Sequence, residues 1–252
     1  MIVETHVHLC DAKYDGDRNE TISRARAAGV AKFLNVSAEL GEVRKIAAFD
    51  ADGVFKAFGL HPDNAGEFTP EVFAEITGYF KAQKSAVAVG EIGLDYYRSR
   101  NSKNEQEIVF RKFLEMACSL DLPVVIHSRE AHEDVYNILK EHAPAKKGII
   151  HCFTGDIEAA EKFMSLGFVL GIGGVVTFRN ARELQAAVNK TPIKSIVLET
   201  DAPWLAPQSV RGKRNESANL KEIAGKIAEL KSMDPEKVEE ITAATAERVL
   251  NI

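Results

Sequence analysis

Cysteine is scarce in this chain: Cys10, Cys118 and Cys152 are the three in 252 residues, an odd number whose spacings fit neither a disulfide framework nor a paired-cysteine zinc motif. Reduced thiols, and with them a cytoplasmic location, are the simplest expectation. No run approaches the ~18 consecutive apolar residues that a membrane helix requires, so no membrane association is expected. The opening MIVETHVHLC lacks both a basic lead and a long apolar stretch and is not expected to act as a signal peptide. Positive charge is not in excess: 32 Lys and Arg face 37 Asp and Glu, a net charge of −5. No global field therefore draws the protein to nucleic acid, and any anionic ligand must be captured locally. Glycine (17) and proline (8) are not gathered into a linker, and the absence of any break in composition predicts one domain over 1–252. The remaining balance, 45% hydrophobic and 27% charged, excludes disorder and suits a globular chain able to bury its core as a monomer.

Eight short β-prone runs recur, at 2–9, 32–38, 54–60, 86–92, 123–127, 148–152, 168–174 and 195–200. Between them lie stretches with helical apolar spacing, such as Ile108, Phe110, Phe113, Leu114 and Ala117 before the fifth run. Such alternation predicts parallel strands joined by crossover helices, and the unbroken apolar runs PVVI and GII suit strands covered on both faces. Eight units in a chain of ~250 residues predict an α/β fold of the (β/α)8 TIM-barrel type. Helical stretches near 217–231 and 235–250 are expected to complete the outer ring. An open doubly wound sheet satisfies the same periodicity, but the polar residues gather at strand ends, as a barrel mouth requires.

His6 and His8 stand two apart on the first run, so the pleat points both to one face. Glu91 follows AVAVG, His127 follows PVVI, His151 follows GII, and Asp201 follows SIVLET, each at the C-terminal end of its strand. In a closed barrel these ends converge. Four imidazoles and two carboxylates form a ligand set for borderline divalent ions, and six groups exceed one tetrahedral site. Two ions sharing a carboxylate would use them all and would favour hydrolysis. A lone strand histidine is commonly a satisfied core group; six such residues at strand ends are not so explained. His61, in GLHP, also belongs to the mouth, where it orients a phosphate, sits beside the metals or caps a turn. His132 and His142 are expected at the solvent surface, and Cys10 and Cys152 in the core.

Charge is placed where a phosphate would meet it. Arg98, Arg100 and Lys103 follow the fourth run, Arg129 the fifth, Arg179 the seventh, and Arg211, Lys213 and Arg214 the eighth. These would pair with backbone phosphates, while Tyr96, Tyr97, Phe178 and Trp204 would stack on unpaired bases. Simple solvation is the plain alternative for such charges, and core packing for such aromatics.

Taken together, ETHVHL at 4–9, GLHP at 59–62, GEIGLDYY at 90–97, PVVIHSREA at 123–131, HCFTG at 151–155, ETDAPWL at 199–205 and RGKRNESANL at 211–220 resemble the TatD family of metal-dependent hydrolases, within the amidohydrolase-like barrels. The resemblance spans almost the whole chain. It implies that His6, His8 and Asp201 hold one divalent ion, that His127 and His151 hold a second, and that Glu91 bridges them, with Mg2+, Mn2+ and Zn2+ as candidate ions. It further implies a deoxyribonuclease that trims single-stranded DNA from the 3′ end, with RNA as a further substrate, and with Asp201 and Glu91 as catalytic groups. His61, Arg98, Arg129, Arg179, Trp204 and Arg214 are the expected substrate contacts. An amide or ester hydrolase, such as one that removes D-amino acids from tRNA, keeps the metals and changes the bond; a non-catalytic binding barrel is disfavoured because every expected ligand is present. Two departures from the family pattern stand out: Glu4 where Asp is common, expected to lie behind the first ion on the face of His6 and His8, and Ser217 where Pro is common.

Overall fold

The computed structural model describes all residues, 1–252. Eight parallel strands pair in chain order: β1 (Ile2–Val7), β2 (Val30–Val36), β3 (Val54–Phe58), β4 (Ala86–Asp95), β5 (Val124–Arg129), β6 (Gly148–Ile150), β7 (Val169–Ile172) and β8 (Ile196–Leu198). The ring closes just beyond β8, where Val7 bridges Ala202, the Asp201 N–H donates to the His6 carbonyl at 3.0 Å, and the His8 N–H donates to the Ala202 carbonyl at 2.8 Å. The expected TIM barrel is thus present, and an open sheet is excluded.

The linking helices are α1 (Arg18–Ala27), α2 (Leu40–Ala48), α3 (Pro70–Ala82), α4 (Lys103–Leu120), α5 (His132–His142), α6 (Ile157–Ser165) and α7 (Arg182–Lys190), followed by α8 (Leu220–Lys231) and α9 (Pro235–Leu250). Their starts follow local chemistry. Ser102 and Glu105 form a capping box at α4, while Thr69 caps α3 ahead of Pro70, whose missing N–H costs nothing in a first turn. No helix is long and apolar enough to cross a membrane.

Two apolar layers result. A cluster of 52 buried residues fills the space between strands and helices. A smaller cluster of 13 occupies the barrel interior, where Val3, Leu34, Ala57, Ala88, Val125 and Ile149 meet Ala243, Ala246, Val249 and Leu250 of α9. Helix α9 therefore does not join the outer ring as expected but stoppers the N-terminal end of the barrel, and its amphipathic pattern served a different surface. With one end plugged by hydrocarbon, the polar side chains of the strands are left at the other.

Candidate metal centre

A cavity of 580 Å³ opens at the C-terminal ends of the strands and is lined by His8, His61, Glu91, His127, His151 and Asp201 among others. Five imidazoles each bring one nitrogen within 4 Å of Glu91 or Asp201. His6 Nε2 lies 3.3 Å from His8 Nε2, 3.4 Å from Glu91 Oε2 and 3.8 Å from Asp201 Oδ1. Glu91 Oε1 lies 2.8 Å from His127 Nδ1, 3.6 Å from His151 Nε2 and 3.7 Å from His61 Nε2. Three sets stand close enough to grip an ion: His6, His8 and Asp201; His61, Glu91 and His127; and His6, His151 and Glu199.

The opposite nitrogens explain the aim. His8 Nδ1 donates to the Val36 carbonyl at 2.9 Å, His127 Nε2 meets Asp95 Oδ2 at 3.0 Å, and His151 Nδ1 lies 3.0 Å from Glu199 Oε1. For His8 and His127 these outer hydrogen bonds fix the ring tautomer and aim the inward nitrogen at a cation. His6 Nδ1 and His151 Nδ1 are both buried without a hydrogen bond, so the approach of His151 Nδ1 to Glu199 is an ion-pair contact. His61 is wired in reverse: its Nδ1 accepts from the Asp63 N–H at 3.0 Å, so the proton resides on the inward Nε2, a donor rather than a ligand. Imidazoles converging on the buried Glu91 and the partly exposed Asp201 are a donor set that fits divalent cations.

Charge is tightly balanced here. Burial alone pushes Glu91 upward, but the His151, His61 and His6 imidazoles and the His127 hydrogen bond reverse this and hold the carboxyl well below the usual range. Burial likewise depresses His8 and His127, yet the Asp201 bond lifts His8 to about 10, and the Asp95 and Glu91 bonds lift His127 to about 9, so each ring carries a proton that a cation binding there would displace. His61 has no such carboxylate bond, so burial, reinforced by His127, lowers it to about 3 and keeps it neutral. Asp201 adopts a left-handed backbone (φ 56°) that carries its carboxylate off the line of β8 toward the mouth, a conformation Asp tolerates better than most residues.

Several expected contacts differ in place. Arg98, Arg129 and Trp204 line the cavity, whereas Arg179 lines neither this cavity nor the one beside it. Arg214 is turned into Asp17 at 2.6 Å and Glu216 at 2.9 Å. Glu4 does not stand behind the imidazoles. The register of β1 on β2 shifts between Glu4 and Val7, which breaks the pleat, and Glu4 instead accepts from the Thr200 N–H and hydroxyl and from the His6 N–H. Cys152 lines the cavity rather than the core because its backbone is left-handed (φ 46°), and His132 is packed against Phe153 with Ser128 Oγ 2.7 Å from its Nδ1. Cys10 is buried as expected.

Asp95 and Glu199 were not singled out by the sequence reading. The signal was available: Glu199 stands two residues from Asp201, and Asp95 four from Glu91, the same even spacing that linked His6 to His8. Gly171 makes room for Glu199, since a Cβ there would sit 2.1 Å from Oε2.

A (β/α)8 barrel with this cluster at its C-terminal mouth is the architecture of a metal-dependent hydrolase. The chain belongs to the TatD family: a family model described as TatD related DNase matches residues 3–251. It is 40% identical, over the full length of both chains, to a protein of Bacillus subtilis (strain 168) named an uncharacterized metal-dependent hydrolase, YabD. It is 35% identical to the protein of Cronobacter sakazakii named 3′-5′ ssDNA/RNA exonuclease TatD, covering 96% of this chain and 95% of that one. Among solved structures, the TatD homologue YjjV of Escherichia coli K12 superposes with a TM-score of 0.95 at 27% identity, covering 100% of this chain and 98% of the other.

Because Glu199 reaches both His151 and the Cys152 N–H, at 3.0 and 2.6 Å, Glu199→Gln is expected to weaken metal affinity or hydrolysis by about 10–100-fold while the fold persists. Metal titration by calorimetry checks this, and wild-type affinity together with wild-type turnover would contradict the role.

Proposed function

We propose that the protein is a two-metal exonuclease that removes nucleotides from the 3′ end of single-stranded DNA, and accepts RNA. The observation that carries this reading is the position of Glu91, within 4 Å of His6, His61, His127 and His151 at once. His6, His8 and Asp201 would hold one ion, His127 and His151 the other, with Glu91 between. Bound there, the ions would acidify a water and neutralise charge on the oxygens of a phosphodiester.

The chain's own groups supply the rest. Asp201 is held below the usual carboxylate range because its bond from His8 and the nearby imidazoles outweigh burial, so it is ionised and able to take a proton from the attacking water. His61, neutral with its proton on Nε2, donates to a phosphate oxygen and so orients the diester. Arg98 and Arg129 on the rim of the cavity receive flanking phosphates.

The test is release of nucleotides from end-labelled single-stranded DNA, single-stranded RNA and D-aminoacyl-tRNA by one preparation across Mg2+, Mn2+ and Zn2+. Stepwise shortening from the 3′ end, abolished by chelator, is expected, with affinity falling as salt rises because each phosphate contact releases counterions. Cleavage of the aminoacyl ester with the strands untouched would favour the deacylase reading. A flat salt response would count against a polyanionic substrate.

A further inference from the structure

Beside the mouth, sharing Trp204 and Leu205 with it, lies a second cavity of 420 Å³ that the metal chemistry does not use. Three loops build it: Lys13 comes from the turn after β1, Phe178 from the loop after β7, and Trp204, Arg211, Lys213 and Arg214 from the long loop after β8. Its charge is the reverse of its neighbour's. Seven carboxylates line the metal mouth, whereas the second cavity has four cationic side chains and no carboxylate.

Arg214 is occupied by Asp17 and Glu216, but Lys13, Arg211 and Lys213 enter no salt bridge. Two of these are held over aromatic faces instead: Lys13 Nζ is 3.1 Å from the centroid of the Trp204 ring, and the Arg211 guanidinium is 4.3 Å from that of Phe178. A ring quadrupole orients a cation without neutralising it, so the charge remains available to an anion. The indole itself is 47% exposed and adjoins Leu205 at 40%, so apolar surface borders the cations.

Planar aromatic surface beside unneutralised cations is the chemistry that receives a base and its phosphate together. We propose that this cavity is a nucleotide subsite. It takes the nucleotide adjoining the one whose phosphodiester lies in the metal mouth, with the base against Trp204 and Phe178 and the phosphate among Lys13, Arg211 and Lys213. The proposal rests on the nucleic-acid reading of the mouth and adds to it a preference for strands over single nucleotides. An acidic peptide would satisfy the cations but would leave the exposed part of the indole uncovered.

Trp204 is the only tryptophan, so tryptophan emission reports on the wall this cavity shares with the mouth, and the Arg211→Ala/Lys213→Ala variant assigns a response to the cavity itself. The metal-loaded protein is titrated with a phosphorothioate-linked single-stranded octamer, which resists cleavage. Saturable quenching is expected, at a concentration about tenfold lower than for a mononucleotide, and about tenfold higher in the variant Arg211→Ala/Lys213→Ala. In a second arm, Trp204→Ala is expected to reduce the preference for a phosphodiester octamer over a dinucleotide, in kcat/KM, by about tenfold. Hydrolysis of the octamer with no response in Trp204 emission to its phosphorothioate analogue would overturn the subsite and leave the nuclease reading standing. Equal quenching by polyglutamate would also overturn it. A saturable response to the octamer, with no strand hydrolysed under any divalent ion, would uphold the subsite and remove the nuclease reading instead.

Discussion

Substituting Glu91 by Gln is expected to reduce hydrolysis by far more than the roughly 10–100-fold lost when a group behind a metal ligand is removed. The substitution keeps the shape of the side chain and removes its charge. Four imidazoles lie within 4 Å of that carboxylate, which is itself 3% exposed, so no solvent replaces the lost charge. The amide would turn a donor toward at least one inward-facing nitrogen, and the two candidate ion positions would lose the group between them. Metal stoichiometry by elemental analysis should fall together with turnover, while circular dichroism stays that of a folded barrel. A variant that retains both its metal and its rate would show that Glu91 is an ordinary buried carboxylate and that the centre lies elsewhere.

Much of this arrangement was readable in the chain because two periodicities do different work. Period-2 spacing placed His6 with His8, and apolar runs meeting a polar residue picked out Glu91, His127, His151 and Asp201; His151 and Asp201 do follow their strands, whereas β4 runs on to Asp95 and β5 to Arg129, so Glu91 and His127 stand inside theirs rather than at the ends. Period-2 reasoning failed where the pleat itself fails. Glu4 lies at a register shift, and Cys152 in a left-handed residue, so parity assigned both to the wrong surroundings. Pairings that depend on distant loops carry no local signal at all. Arg214 meets Asp17 across 197 positions of sequence, and Lys13 reaches Trp204 only because the loops after β1 and β8 adjoin where the barrel closes. Glu199 was missed for another reason: an acid just past an apolar strand looks like part of a motif until the imidazole beside it is seen.

The placement of α9 is the other feature that periodicity left open, since an amphipathic helix reveals that it has an apolar face but not which surface it covers. Its fully buried Ala246 packs with Val3, Leu34, Ala57 and Val125 in the barrel interior, whereas Ala244, two residues earlier, is exposed. Ala246→Asp therefore puts a carboxyl into a hydrocarbon layer with no cation to pair with. Uncompensated charge in such a place costs about 3–5 kcal/mol, which for a chain of this size corresponds to a fall in Tm of roughly 10 °C. Ala244→Asp, with the same chemistry on the same helix, is expected to stay within about 0.5 kcal/mol of the parent, as surface changes do. The metal mouth is at the opposite end of the strands, so the Ala246→Asp protein that remains folded at low temperature should still bind its metal. Thermal unfolding of the two variants side by side decides the matter. If both melt together, α9 is an appendage rather than the stopper of the barrel, and the interior apolar layer must be held by the strands alone.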